Sequence, residues 1–460
     1  MLMFKNFARK NEAFSRGMSH ATLDPQGPGV ARLHLIPPKP SFFFNPPSVL
    51  LINGWHLLPV GASWAWLLRE FLEELPKVAK EGEELTQEQI TSVENAVIKK
   101  LSLLYPDQDP EKFRQDLYKL VNLIVQIAKG EKTIHSDLNI RDYAKYMTAP
   151  HRMDLVVSSM EVAGKWNCPL KCKNCYATGQ ELSGVDKELS TSEWKAIIDI
   201  LHAAMVPQVT FTGGEPTMRS DLVELIGYSR EFVTRLNTSG VLMTEELAKR
   251  LFEASLDVVQ MTLYSADPLI HDELVGKQGA FEQTITGIKN ALKAGLNVSI
   301  NTPLIKQNSD YVALLALLRE LGIVQVSCSG LIPAGKAPGT IDDGGALSNP
   351  EMFKTISDAV DFCSKNKMEL MFTSPGWLTQ DQLKSLGLTY PVCGAALSNM
   401  AITSDGTVVP CQSWLSQEGN LGNILSTPWN KIWNHPLSKK LRVQTDFETC
   451  PLSNPQEGGN

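Results

Sequence analysis

The feature that most limits the fold of this 460-residue chain is an alternation of strand-like and helix-like segments that begins near Asp154. A short apolar segment is followed by one with apolar residues at helical spacing, and the unit recurs about six times. Repeated β–α units predict a parallel sheet flanked by helices. We therefore predict an α/β fold with a partial (β/α)6 barrel. Its strands are expected at residues 154–162, 208–211, 234–237, 257–263, 297–301 and 324–329.

The rest of the chain divides around this barrel. We predict a disordered tail at 1–30, an N-terminal α+β domain at 31–150, the barrel at 151–345, a bridging helix and strand at 346–390, and a small β-hairpin domain at 391–460. Within the α+β domain, strands are expected at 31–36 and 48–60, helices at 63–75 and 111–128, and an acidic linker at 80–84.

Composition excludes several classes of protein. A hydrophobic content of 43% and a charged content of 20% are ordinary for globular proteins. A net charge of -7 argues against nucleic acid as a partner, because no basic surplus can neutralise phosphates. No secretory signal and no run of about 20 apolar residues is present, so no membrane span is expected. Eight cysteines in two main groups indicate metal ligands in a reducing compartment, and we expect a cytoplasmic protein.

One loop, Lys165-Trp-Asn-Cys-Pro-Leu-Lys-Cys-Lys-Asn-Cys-Tyr176, places Cys168, Cys172 and Cys175 close together. Three thiolates can hold three irons of a [4Fe–4S] cube, which leaves the fourth iron open to a substrate or cofactor. The alternative is a structural zinc loop, but zinc sites usually pair two Cys-x2-Cys units or add histidine, and no histidine is near in sequence. A disulfide would leave one cysteine over.

Two further motifs follow strands of the predicted sheet. Gly213-Gly214-Glu215-Pro216 follows the second strand, and the segment 237–240 follows the third. Chemistry in parallel α/β folds collects at the carboxyl ends of the strands, where the cysteine loop also lies. The alternatives are an ordinary turn for the first motif and a helix-capping turn for the second.

The cysteine loop, the Gly-Gly-Glu-Pro turn and the β–α pattern together resemble the radical S-adenosylmethionine (SAM) enzymes over residues 154–335. This resemblance implies that the open iron binds the amino and carboxylate groups of SAM. One electron from the cluster would cleave the sulfonium bond, and the resulting 5′-deoxyadenosyl radical would abstract a hydrogen atom from a substrate. An electron donor such as flavodoxin or ferredoxin is implied.

The resemblance also assigns roles near the methionine end of SAM. Gly213 and Gly214 would let the backbone approach it closely. Glu215 would help to position its ammonium group, and Pro216 would fix the turn.

At the nucleoside end, the resemblance implies that Asn237 and Ser239 contact the ribose. The family usually has an aromatic residue before the last cluster cysteine, near the adenine. Asn174 stands there in this chain, so we expect Tyr176 to substitute in part. His271, after the fourth strand, is expected to be structural.

The second group of cysteines is Cys393, Cys411 and Cys450. Its spacing resembles the SPASM/twitch extension of the same family, which binds auxiliary [4Fe–4S] clusters. The later cysteines of a full SPASM domain are absent. We therefore expect one auxiliary cluster held by these three, with a fourth ligand that is missing from the pattern or supplied by substrate. The alternative is three buried cysteines in a β-hairpin domain.

Two cysteines lie outside both groups. Cys363 falls in an amphipathic helix and is expected in the core. Cys328 ends a predicted barrel strand. Family members that invert α-carbons return a hydrogen atom from a cysteine thiol, so Cys328 is a candidate donor, and the alternative is a buried thiol without a catalytic role.

These features lead to three hypotheses of function. Residues 31–150 resemble the PqqD-like domain that holds a leader peptide as an added edge strand, with an unrelated helical cap as the alternative. The first hypothesis is therefore a radical SAM enzyme that modifies a ribosomally made precursor peptide by thioether formation, carbon–carbon crosslinking or epimerisation. The second is a radical SAM enzyme that acts on a protein residue, as sulfatase maturases do, or on a cofactor or sugar precursor. The third is a non-enzymatic iron–sulfur electron carrier, which would not cleave SAM.

Overall fold

The computed structural model describes residues 2–23, 31–79, 85–131, 133, 138–443 and 450–453. The chain forms two compact units, Met1–His151 with Leu201–Pro207 and Arg152–Ile200 with Gln208–Asn460. The linker predicted at 80–84 lies outside the described residues. Within the described ranges, no helix is long and apolar enough to cross a membrane.

The first unit contains strands followed by helices, in the predicted order. They are α1 (Leu2–Ser15), β1 (Ser19–Leu23), β2 (Ala31–Ile36), β3 (Ser48–Ile52), β4 (His56–Val60), α2 (Ala62–Val78), α3 (Gln87–Leu104), α4 (Pro110–Ala128) and α5 (Ile140–Tyr143). The strands form an antiparallel sheet in the order β1-β2-β3-β4. Apolar residues of the sheet pack against Leu68 and Leu72 of α2 and Ile124 of α4.

Local sequence explains where two of these helices begin. Thr86 and Gln89 form a capping box before α3, in which each side chain accepts a hydrogen bond from the other residue's backbone N–H. Asp109 precedes α4 and accepts from the N–H of Glu111 at 3.0 Å, with Pro110 at the first helical position. Such contacts satisfy the N–H groups that the first turn of a helix leaves unpaired.

The prediction of a disordered tail at 1–30 is wrong for the part of it that the structure describes. Helix α1 lies within that range, and β1 pairs antiparallel with β2. Phe7 stacks on Phe42 with ring centroids 3.7 Å apart, and Arg16 Nη1 lies 2.9 Å from Glu70 Oε1. These partners are distant in sequence, so the composition of the segment does not indicate them.

The second unit contains the parallel sheet. Its strands are β5 (Arg152–Ser158), β9 (Gln208–Gly213), β10 (Val233–Thr238), β11 (Val258–Thr262), β12 (Asn297–Pro303), β13 (Gln325–Ser329), β14 (Glu369–Phe372), β15 (Asn399–Ile402) and β16 (Val408–Val409). A separate small sheet contains β6 (Glu161–Val162), β7 (Lys165–Trp166) and β8 (Gly184–Val185). The large sheet has the order β14-β13-β12-β11-β10-β9-β5-β15-β16, and every pairing in it is parallel except that of β15 with β16.

Helices alternate with these strands, which confirms the predicted α/β class. They are α6 (Thr191–Ala203), α7 (Leu222–Tyr228), α8 (Glu245–Glu253), α9 (Pro268–Val275), α10 (Ala280–Lys293), α11 (Tyr311–Glu320), α12 (Ala337–Asp342), α13 (Asn349–Asn366), α14 (Gln380–Ser385), α15 (Trp429–Trp433) and α16 (Pro436–Val443).

The two faces of the sheet differ in chemistry. Successive residues of a strand point to opposite faces. Val259, Ile300 and Val326 lie in one set of alternate positions and are fully buried. The other set is polar, and we call it the polar face; it includes Thr210, Arg235, Gln260, Asn301 and Ser327.

The sheet also extends beyond the six predicted strands. The strand predicted at 346–390 is β14, which pairs in parallel with β13. The first strand of the predicted C-terminal hairpin is β15, and it pairs in parallel with β5. The strand predicted at 154–162 is interrupted, because β5 ends at Ser158 and β6 belongs to the small sheet.

Candidate active site

The loop with the first cysteine triplet begins directly after β7. Two backbone N–H groups of the loop donate to the C-terminal end of α9, from Lys171 to the carbonyl of Val275 at 2.9 Å and from Lys173 to that of Leu274 at 2.8 Å. The N–H of Lys336 donates to the carbonyl of Cys175 at 3.0 Å. The loop is therefore fixed by backbone contacts from two other segments of the same unit.

The Gly-Gly-Glu-Pro turn lies against this loop. The Sγ of Cys168 is 3.6 Å from the carbonyl oxygen of Gly214. Gly213 has φ +145, and a Cβ there would lie 2.1 Å from the carbonyl oxygen of Ser158. Only glycine fits this position. The two motifs that the sequence analysis placed at the strand ends are thus in contact.

Glu215 joins the ends of two neighbouring strands. One carboxylate oxygen accepts from the N–H and hydroxyl of Thr217 at 3.1 and 2.6 Å and from the hydroxyl of Thr238 at 2.6 Å. The other accepts from the N–H and hydroxyl of Ser239 at 2.9 and 2.5 Å. The side chain is buried, and these five donors take the place of water.

The three thiols of the loop suit a cluster better than a zinc ion. Burial raises the pKa of Cys168 to about 12 and raises that of Cys172 further, so a bound cation would be needed to keep them as thiolates. Three cysteines without a histidine in the loop leave a tetrahedral zinc ion one protein ligand short, whereas they match the three protein-bound irons of a [4Fe–4S] cube.

The second cysteine triplet also comes together. Burial, together with the neighbouring thiols of Cys393 and Cys450, raises the pKa of Cys411 to about 12. Cys393 and Cys411 pack with Trp414 and Leu441. Because three sulfur ligands converge in an apolar setting, this site also fits an iron–sulfur cluster.

Comparison with known proteins identifies the family. A model of the radical SAM superfamily matches residues 167–329, and a model of the SPASM iron-sulfur cluster-binding domain matches residues 393–453. An AdoMet-dependent heme synthase of Nitratidesulfovibrio vulgaris is 30% identical over 61% of this chain and 80% of that protein. The chain belongs to the radical SAM superfamily. As a radical SAM enzyme with a SPASM domain, it uses a [4Fe–4S] cluster, SAM and auxiliary iron–sulfur chemistry.

Two further similarities describe this radical SAM enzyme. An Fe-coproporphyrin III synthase of Methanosarcina barkeri is 37% identical over 39% of this chain, which spans only 46% of that protein. The crystal structure of Streptococcus suis SuiB bound to its precursor peptide SuiA aligns with a TM-score of 0.59, at 16% identity, over 86% of this chain and 88% of SuiB. At that identity the likeness shows a shared fold.

The side chains predicted to contact SAM differ in whether they already form hydrogen bonds within the protein. Asn237 lies on the polar face, and its side chain has no hydrogen bond to any described residue. The Ser239 hydroxyl instead donates to Glu215. Pro216 begins a short 3-10 turn, as its predicted turn role requires. The Glu215 carboxylate already accepts hydrogen bonds from protein donors, which hold the turn in place.

Tyr176 points toward the second cysteine group. Its hydroxyl lies 3.5 Å from Oε1 of Gln412, and its ring packs with Met160 and Leu415. This position does not support the expected adenine contact. Asn174 is also occupied, because its Oδ1 accepts from the hydroxyl of Thr340 at 2.5 Å.

Cys328 does not reach the polar face. Ser327, its neighbour in β13, points to that face and donates to Asn301 Oδ1 at 2.9 Å, so Cys328 points to the opposite side. There it is fully buried beside Tyr311 of α11 and Cys363 of α13. The predicted role of Cys328 as a hydrogen-atom donor is therefore not supported by its position, and Cys363 is in the core as expected.

The sequence analysis missed the polar face itself. Gln260 Nε2 lies 3.5 Å from Ser327 Oγ, which donates to Asn301. The signal was available, because Gln260 and Thr262, like Ser299 and Asn301, recur every second residue in strands that otherwise read as apolar. Strands of a parallel sheet buried on both faces are usually apolar throughout, so this alternation indicates a polar binding surface.

Proposed function

We propose that this radical SAM enzyme crosslinks a ribosomally made precursor peptide. The observation that carries the proposal is the extent of the likeness to SuiB, a protein whose structure holds a precursor peptide. It covers 86% of this chain, whereas the heme synthase match covers 61%.

Different groups of residues would have different roles in this reaction. Cys168, Cys172 and Cys175 would hold the first cluster, and the glycines before Glu215 open space beside it. The cluster and SAM, when bound, supply a 5′-deoxyadenosyl radical that abstracts a hydrogen atom. Amide groups of the polar face, such as those of Asn237 and Gln260, would orient polar parts of SAM or the peptide.

The position of Cys328 favours crosslinking over epimerisation. All eight cysteines are described, and the two outside the triplets are buried away from the polar face. No thiol is therefore placed there to return a hydrogen atom. A crosslink removes two hydrogens from the peptide, one as an atom and one as a proton with an electron. The Cys393, Cys411 and Cys450 site would hold an acceptor for that electron.

The test is anaerobic incubation of the reconstituted enzyme with SAM, dithionite and the precursor peptide. We expect 5′-deoxyadenosine together with a peptide lighter by two hydrogen atoms. Cys328→Ala should retain this activity. Formation of 5′-deoxyadenosine with an unchanged peptide mass and an inverted residue would contradict the crosslinking proposal, as would loss of turnover in a folded Cys328→Ala variant.

A tetrapyrrole substrate is the second candidate. Identities of 30% and 37% to a heme synthase and an Fe-coproporphyrin III synthase favour it. Incubation with Fe-coproporphyrin III under the same conditions tests it, with consumption of the tetrapyrrole measured by absorbance and mass. Turnover of the tetrapyrrole but not of the peptide would replace the first proposal with this one.

A further inference from the structure

The N-terminal unit contains a cavity of about 300 Å³ between α1, α2 and the loop at 38–46. Three cations line it, Arg9, Lys10 and Arg69, and none of the described residues in its lining is acidic. Trp66 and Tyr105 supply aromatic walls. We call it the basic cavity.

In the part of the chain that the structure describes, the hydrogen-bond and ring partners of the three cations are neutral groups. Nη2 of Arg69 donates to the carbonyl of Gly17 at 2.7 Å, although only 2% of this residue is exposed. Lys10 Nζ donates to the carbonyl of Phe44 at 2.6 Å. Arg9 lies 4.2 Å from the centre of the Tyr105 ring and donates to a backbone carbonyl. Within the described ranges, none of the three pairs with a carboxylate.

Nearby acidic residues are already occupied by other cations. Glu70 of α2 lies 2.9 Å from Arg16 and 2.6 Å from Lys100. Burial lowers the pKa of Arg69 and of Lys10, although Glu73, Glu70 and Glu12 act in the opposite direction on Arg69 without forming an ion pair with it in the described part of the chain. A buried cation without an acidic partner gains most from an anionic ligand.

The segment of chain that leads into the lining of the basic cavity is apolar. Phe42, Phe43 and Phe44 are 53%, 86% and 61% exposed, and the next two residues of the chain line the cavity. Three exposed phenylalanines in sequence are unusual on a protein surface and favour contact with an apolar partner. A ligand that fits both regions carries a negative group next to apolar groups.

A peptide that bound as an added strand beside β4 would form few hydrogen bonds with it. The carbonyl of Leu57, which faces away from β3, already accepts from the N–H of Leu138 at 2.9 Å. The next residue that faces outward is Pro59, which has no N–H. This edge therefore provides few of the backbone hydrogen bonds that hold an added strand.

We propose that the basic cavity binds the carboxylate of an acidic residue of the precursor peptide, with neighbouring apolar residues of the peptide on the three phenylalanines. This proposal rests on the proposed function for the identity of the ligand. Its geometry belongs entirely to the N-terminal unit and involves neither cluster.

The test uses the full-length enzyme without SAM and measures binding by calorimetry. The probes are acetyl-Leu-Glu-Glu-Leu-Leu-Phe-amide and the matched peptide with glutamine in place of both glutamates. We expect the glutamate peptide to bind roughly tenfold more tightly or better, since charge-assisted hydrogen bonds are lost with glutamine. Rising salt should weaken only the glutamate peptide.

Substitutions locate the site. Lys10→Met and Arg69→Met should each lower the affinity for the glutamate peptide by about tenfold. Lys119→Met, on α4 with a 65% exposed side chain and outside the cavity lining, is the matched control and should leave it unchanged. Because Arg69 is buried and its loss could unfold the unit, Lys10→Met decides the question alone. Equal affinity of the two peptides, or of Lys10→Met and the unsubstituted enzyme, would overturn the proposal.

Failure of the basic cavity proposal can be distinguished from failure of the proposed function. If Lys10→Met crosslinks the precursor peptide with an unchanged KM, only the basic cavity proposal fails. If the glutamate peptide binds as expected and no precursor peptide is crosslinked, only the proposed function fails.

Discussion

Glu215 shows how a single buried side chain can fix the turn beside a cysteine loop. Its five hydrogen bonds hold the turn after β9 against the end of β10. The carboxylate therefore shapes the space beside Cys168 before any cofactor binds.

Glu215→Gln should destabilise the protein, because one oxygen becomes an amide that faces donors. We expect the free energy of unfolding of the apoprotein to fall by about 2 kcal/mol, measured by chemical denaturation. Glu193→Gln, which alters an exposed capping residue of α6, is the control and should change it far less. An equal effect of the two substitutions would contradict this account of the turn.

His271 makes stability depend on pH. Burial lowers its pKa from 6.5 to about 4, and its Nδ1 accepts from the N–H of Tyr264 at 3.2 Å, which requires the unprotonated nitrogen. The unfolded chain takes up the proton more readily than the folded one. Stability supplied by the neutral ring is thus present above pH 6.5 and decreases as the pH falls toward 4.

His271→Gln should remove this dependence and keep an acceptor for Tyr264. We expect the melting temperature of the unsubstituted protein to fall, relative to this variant, between pH 6.5 and 4.5. Melting temperatures are measured by differential scanning fluorimetry. Other buried histidines, such as His151, titrate in both proteins, so their effect does not appear in the difference between the two melting temperatures. A difference that stays constant with pH would show that His271 does not titrate in this way.

At the scale of the elements, the two cysteine loops are joined by Gln180. Its Nε2 donates to the carbonyls of Tyr176 at 2.6 Å and Ser413 at 3.0 Å, and its Oε1 accepts from the N–H of Leu415 at 3.0 Å. One side chain therefore connects the segment after Cys175 to the segment after Cys411.

Gln180→Ala should loosen this connection, because it leaves the N–H of Leu415 and two carbonyls without these partners. We expect a loss of about 2 kcal/mol in the free energy of unfolding and faster proteolysis near residue 413, followed by mass spectrometry. Gln307→Ala removes an exposed contact with Glu273 and should change neither. Unchanged proteolysis in Gln180→Ala would mean that the two loops are held together by other contacts.

The sequence predicted elements better than it predicted the direction of side chains. The β–α alternation identified the six central strands, and the contact of Cys168 with Gly214 agrees with motifs at strand ends. The sequence could not reveal α1, because the residues that this helix contacts, Phe42 and Glu70, are far along the chain. The sequence left open whether Cys328 faces the active site or the core, and its alternation with Ser327 along β13 assigns it to the helix side.

At the scale of the whole molecule, the two cysteine triplets should be independent in iron binding. Alanine at Cys393, Cys411 and Cys450 together should lower the iron content of the reconstituted protein by about four per chain, the content of one [4Fe–4S] cluster. The cluster at Cys168 should remain, and iron and sulfide assays with electron paramagnetic resonance measure both. A loss of all iron would contradict independent sites, and no loss would show that the second triplet binds none.

The parallel pairing of β15 with β5 has a practical consequence for engineering. If the chain ended before β15, β5 would lose its pairing partner on that side. The backbone N–H and C=O groups of β5 that bond to β15 would then be unpaired, in the strand that leads to the first cysteine loop. In a chimera of two relatives, the parallel sheet and β15 should therefore come from the same parent protein. The C-terminal domain should not be exchanged by itself.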